Sequence, residues 1–212
     1  MKQITLLLFA FVLLAVSCHD KVKQQASPPI VEKDTTADVP QTLHLDKDSL
    51  LKQTGKEILT LLKNKDYQQL SNFFAPGDSV HFSPYAFIGS GTQTLSSEDF
   101  VRLLKTKRPV YWGNQDGSGD SIFISLSQYL EKFVYPADFI TAPKTSIDTV
   151  IKTGNSLNNL QKAFPGSRFI EYHFPGFDKK YAGMDWTSLR LVFKFIDGRY
   201  YLQAFVHDQW TI

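Results

Sequence analysis

The sequence predicts an α+β domain, with N-terminal helices packed on a curved antiparallel sheet. Three observations predict it. Apolar residues recur at helical spacing after residue 49 and again near residue 126. The run Leu189-Arg190-Leu191-Val192-Phe193-Lys194-Phe195 alternates as a strand, and Asp197-Gly198 then marks a tight hairpin. Helical signals come first and strand signals last, the order of an α+β fold rather than of alternating βαβ units.

Residues 1–17 carry an export pattern. Lys2 supplies a positive start, and residues 4–16 form an almost unbroken apolar run. That run is shorter than the roughly 20 apolar residues a membrane helix needs, and it fits the apolar core of a signal peptide. It ends in Leu14-Ala15-Val16-Ser17-Cys18, which resembles the lipobox of bacterial lipoproteins, although Ala15 stands where Leu is usual. The resemblance implies cleavage before Cys18, a diacylglycerol on its thiol and a membrane as partner. Cys18 is the one cysteine in the chain, so lipidation leaves no odd thiol in an exported protein. His19 follows it, and the Asp of an inner-membrane retention signal is absent from that position, so the expected location is the outer membrane.

Residues 18–46 read as the lipidated Cys18 and a flexible tether. They hold Pro28, Pro29 and Pro40 among polar residues and show no apolar period, so they bury too little surface to offset ordering. Residues 47–212 are then a single globular domain. The full chain carries 23 Lys and Arg against 21 Asp and Glu, a formal +2 that becomes +1 without Lys2. A balance so near zero gives no reason to expect a nucleic-acid partner.

Within the domain, Leu51, Ile58, Leu59 and Leu62 share a helix face beginning near Ser49. Asp66 can cap a second helix carrying Leu70, Phe73 and Phe74, which Pro76-Gly77 ends. Residues 80–85 read as a short extended piece. Ser96-Ser97-Glu98-Asp99 opens a helix before Phe100, Val101, Leu103 and Leu104, and Arg108-Pro109 stops it. Residues 112–119 read as a turn-rich loop. Ser125 can cap a helix bearing Leu126, Tyr129, Leu130 and Phe133, and a short helix is expected over 158–163. Strands are expected at 169–174, 189–195 and 200–207.

The stretch with Ile58, Leu62-Lys63-Asn64-Lys65-Asp66, Leu70, Phe73-Phe74-Ala75-Pro76 and Val80-His81-Phe82 resembles the start of NTF2-like domains. That resemblance implies a cone of helices and curved sheet around a pocket, here with a long helical insertion at about 90–165. A wider resemblance rests on Phe82-Ser83-Pro84-Tyr85, Tyr111-Trp112-Gly113, Asp116-Gly117-Ser118-Gly119, Phe133-Val134-Tyr135, the run from Glu171 to Phe177, Gly183-Met184-Asp185-Trp186 and the ending from Val206. These look like a family of bacterial secreted proteins, many of them lipoproteins, and imply location rather than chemistry.

Four polar or aromatic sets are candidates for function. Glu171 and His173, two apart on a strand, point to one face, and with Arg190 and His207 or Asp208 they can form an acid–base pocket. A polar network holding the sheet is the plainer reading. His81, His173, His207 and Asp208 are weighed as metal ligands, but tight ligand spacing is lacking and no metal or other cofactor is expected. The Asp116-Gly117-Ser118-Gly119-Asp120 loop offers two carboxylates for calcium without the full twelve-residue pattern, so an ordinary turn is preferred. Tyr172, Phe174, Phe177, Tyr181, Trp186 and Trp210 can form a platform for a flat ligand, with Tyr172, Trp186 and Trp210 as its binding residues, or simply pack the core. No Gly-x-Ser-x-Gly elbow is present. The leading expectation is an anchored envelope lipoprotein that binds a small molecule or an envelope protein. Its rivals are a small hydrolase or isomerase and a structural assembly protein.

Overall fold

The computed structural model describes residues 46–89 and 91–211. The export segment, Cys18 and the tether to residue 45 lie outside the described residues. Asp46, expected to end the tether, belongs to the fold. Its carboxylate accepts the Ser49 backbone amide at 2.8 Å and caps helix α1, Lys47–Lys63. No helix among the described residues is long and apolar enough to cross a membrane.

Asp66 caps the short helix α2, Tyr67–Leu70, which tightens into a 3-10 turn over Ser71–Phe73. Strand β1 (Ser79–Ser83) and strand β2 (Gln93–Ser96) pair antiparallel, and Ser96 caps helix α3, Ser97–Thr106. Strands β3 (Pro109–Asn114) and β4 (Ser121–Ser125) form a separate hairpin. Ser125 and Gln128 close a reciprocal capping box on helix α4, Leu126–Tyr129, which widens into a π-turn over Leu130–Val134. Strand β5 (Lys144–Ile147), helix α5 (Leu160–Ala163) and strands β6 (Arg168–Phe174), β7 (Thr187–Ile196) and β8 (Arg199–Gln209) complete the fold.

The main sheet runs β2-β1-β8-β7-β6-β5. It is antiparallel except where β1 lies parallel to β8. The α+β class therefore holds, but the helices are not confined to the N-terminal part. The middle of the chain, expected to be a helical insertion, carries α3, α4 and α5 and also the β3–β4 hairpin, which reads as loop in the sequence.

One sheet face carries the main core. Leu189, Leu191 and Phe193 from β7 join Phe82, Phe205, Ile170 and Tyr172 beneath α1, α3 and α4. A bulge between Val192 and Phe193 in the β7–β8 register leaves Gln203 unpaired, so Phe205 and Leu202, three apart, reach the same core. The turn after β7 is the expected one: Asp197 (φ 48°) and Gly198 (φ 80°) both adopt the left-handed region.

The hairpin leans on this core through Trp112. Its ring stacks on Tyr129 with centroids 4.1 Å apart, and its indole N–H donates to the Ile124 carbonyl at 2.9 Å. The opposite sheet face is also buried. Val192, Ala204, Val206 and Phe169 pack there against Leu160, Phe164 and Ile88. Its cover is the segment between β5 and β6, largely irregular apart from α5.

Gly55 in α1 shows how tightly helix and sheet meet. A Cβ there would collide with the Tyr172 hydroxyl and come within 2.8 Å of Ile170 Cδ1. Alanine in place of glycine normally strengthens a helix by about 1 kcal/mol, whereas overpacking costs about 1–3 kcal/mol. Gly55→Ala is therefore expected to lower stability in urea denaturation. Adding Tyr172→Phe, which removes the colliding oxygen, should recover part of the loss.

Candidate functional site

Glu171, Arg190 and Asp208 do converge. Glu171 and Arg190 are direct cross-strand partners on β6 and β7, and Asp208 joins from β8 on the same face. Arg190 Nε donates to Glu171 Oε2 at 3.0 Å, and Nη2 donates to Asp208 Oδ2 at 2.9 Å. Nη2 also reaches the Lys152 carbonyl at 2.9 Å, while Glu171 Oε2 accepts the Ile151 amide at 3.0 Å. Arg190 and Glu171 are wholly inaccessible and Asp208 is 1% exposed. The expected acid–base pocket is thus a sealed ion-pair network, with no opening through which a substrate meets these groups.

The two histidines are separated by the sheet itself. His173 shares the Arg190 face and lies 2.8 Å from the Ser188 hydroxyl. His207 points to the helical side, 2.9 Å from the Thr187 hydroxyl, and its Nδ1 lies 3.1 Å from the Pro84 carbonyl. His81 sits edge-on to Phe164. Among the described residues no group of three or more His, Cys, Asp or Glu side chains is placed to hold a metal.

The expected aromatic platform is dispersed as well. Tyr172 and Trp186 are buried, Tyr172 in the main core and Trp186 against His173 and Lys152. Phe174 stacks on Phe177, which is exposed, as are Tyr181 and Trp210.

An accessible site lies elsewhere, and the ion-pair network leads to it. Arg190 and Glu171 grip Ile151 and Lys152, fixing a strap over residues 148–159. Gly154 brings the strap against the sheet, where a Cβ would meet the Gln209 carbonyl at 2.9 Å and Trp186 at 3.1 Å. Further on, Asn155 donates to the Thr211 carbonyl at 2.8 Å, and Ser156 donates to Asp116 Oδ2 at 2.6 Å. Asn159 ends the strap by bonding both the amide and the carbonyl of Ile88, each at 2.9 Å.

The strap, the β3–β4 hairpin and the loop after β1 enclose a cleft of about 490 Å³. Pro84, Tyr85 and Phe87 line it together with Trp112, Gly113, Ser156 and Leu157. Phe87 is 50% exposed and Leu157 76%, large apolar surfaces turned to solvent. Asp116 stands at the rim and accepts the Ser156 and Thr211 hydroxyls, the latter at 2.9 Å. The Ser156 bond, with that of Thr211, holds its carboxyl below the usual carboxylate range, so it is ionised at neutral pH. In the sequence Asp116 stands out only as part of a glycine-rich turn. The rest of the cleft is not legible there, because its lining comes from three segments distant in sequence. No protein-family model, curated protein or solved structure matches this chain.

Two predictions follow from the network. Arg190→Met strands two carboxylates in a buried site and should cost about 3–5 kcal/mol in urea unfolding. Adding Glu171→Leu and Asp208→Leu should recover part of that loss.

The second concerns pH. Burial holds His207 down at about 4, below its ordinary 6.5, so its stabilising contribution is present above pH 6.5 and lost as pH falls through about 4. Burial pushes Asp208 up from 3.8 to about 6, so its contribution is present below pH 3.8 and lost as pH rises through about 6. The two slopes oppose each other between pH 4 and 6. His207→Gln removes the His207 slope, so urea midpoints of the variant should rise on acidification from pH 6 towards 4 relative to the unsubstituted protein.

Proposed function

We propose that the chain is an exported lipoprotein, anchored through Cys18 to the outer membrane, whose domain binds a small ligand in the cleft bounded by Tyr85, Phe87, Trp112 and Leu157. The observation that carries the binding reading is the exposure of Phe87 and Leu157 around a cleft of about 490 Å³. Ligand sites are commonly concavities of about 300–1,000 Å³ with apolar walls and a few placed polar groups. The cleft also has a built frame: the hairpin is held to the core by Trp112 stacked on Tyr129, and the strap by Arg190 and Asn159. A preorganised frame spares the ordering cost of binding. Glu171, Arg190 and Asp208 serve in this reading as the frame's support, and the hydrolase reading is set aside.

Mass spectrometry of small molecules that accompany the purified protein tests the site. A compound enriched with the unsubstituted chain and lost from a folded Phe87→Ala, Leu157→Ala variant is the expected result. Identical profiles would overturn the assignment. Both residues are exposed, so the substitutions should leave the thermal midpoint nearly unchanged. The anchor has its own test: Cys18→Ser should move the protein from the membrane fraction to the soluble fraction, and continued sedimentation with membranes would count against it.

A further inference from the structure

We infer that the ligand of this cleft is an organic cation, an amine or quaternary ammonium carried on a flat apolar body. The inference rests on the binding reading above and adds the ligand's charge. Of the described residues that line the cleft, Asp116 alone is charged; Asn114, Gln115, Thr92 and Ser156 supply neutral polar groups. The lining therefore holds a fixed negative charge with no Lys or Arg to compensate it.

Asp116 also has a defined geometry. The hydroxyls of Ser156 and Thr211 both point at Oδ2. These contacts keep the group ionised and fix its position, yet they deliver no formal positive charge. The carboxylate remains exposed at the rim. A ligand cation can complete the pairing without displacing a resident ion pair.

The walls favour the same class. Tyr85 and Phe87 turn accessible rings to the cleft, while Trp112, which also borders it, is buried against Tyr129. A cation over an aromatic face is attracted by the ring quadrupole, and the apolar body of such a ligand can cover Phe87 and Leu157. An anion of the same shape meets the Asp116 charge and the negative ring faces, and is rejected by both.

Three probes share an indole body and differ in charge: tryptamine, tryptophol and indole-3-acetate. Their binding to the purified full chain can be measured by calorimetry and ligand-observed NMR. Tryptamine should bind at least fivefold tighter than tryptophol, and indole-3-acetate more weakly than either. Asp116→Asn, which keeps an acceptor for Ser156 and Thr211, should bring tryptamine to within twofold of tryptophol. Should that variant fold poorly, salt supplies a second measurement on the unsubstituted protein. Added NaCl should weaken tryptamine and leave tryptophol unchanged. Equal binding of tryptamine and tryptophol, both weakened by Phe87→Ala, would overturn the charge inference and leave the cleft as a binding site. No binding of any probe would overturn the inference, and if Phe87→Ala, Leu157→Ala also leaves the co-purified profile unchanged, the binding reading falls with it.

Discussion

The architecture depends on a buried guanidinium. Arg190 lies in the middle of a strand whose other face packs the main core, so its own face must also be covered. The cover is a strap too irregular to satisfy its backbone through helix or sheet bonds. Arg190 and Glu171 therefore take on two of those backbone groups, the Lys152 carbonyl and the Ile151 amide. A buried ion pair is often no more stable than an apolar replacement of similar volume. What this one contributes is position. With Ile151 and Lys152 fixed, Gly154 meets the sheet, Asn155 and Ser156 reach Thr211 and Asp116, and Asn159 reaches Ile88.

Local signals in the sequence correspond closely to local structure. Asp66, Ser96 and Ser125 cap helices as their side chains allow, and Asp197-Gly198 makes its hairpin turn. Alternation in β7 marks the core face correctly. What escaped depends on partners distant in the chain. The β3–β4 hairpin was hidden because Trp112-Gly113 next to Gly117 and Gly119 reads as a loop, and the indole contact with Tyr129 is a tertiary fact. The parallel pairing of β1 with β8 joins segments more than a hundred residues apart. The bulge at Gln203 restores a core face that simple alternation assigns to the wrong side.

The same division explains the candidate residues. Spacing placed Glu171 and His173 on one strand face, and cross-strand pairing brought Arg190 and Asp208 to Glu171. Solvent access was not legible, because the strap that seals them has no apolar period. An arginine flanked by Leu189 and Leu191 looks like the wet side of a half-buried strand; here both sides are dry. His207, one residue from Asp208, falls on the opposite face for the same geometric reason that united the others.

Buried polar groups and accessible ones thus have separate tasks in this fold. The ion-pair network is sealed by its own carboxylates and by the strap, with only Arg190 Nη1 among its guanidinium nitrogens left without a partner, and its work is to hold segments in register. Asp116 differs: it ties the hairpin, the strap and Thr211 through neutral hydroxyls, and it keeps its charge at the rim of an apolar cleft. A carboxylate held in place by two hydroxyls needs little reorganisation to receive a cation, so its structural role as a tie and its proposed role in recognition reinforce each other. Loss of the tie would move Leu157 along with Ser156, and the apolar wall and the charge are for that reason parts of one site.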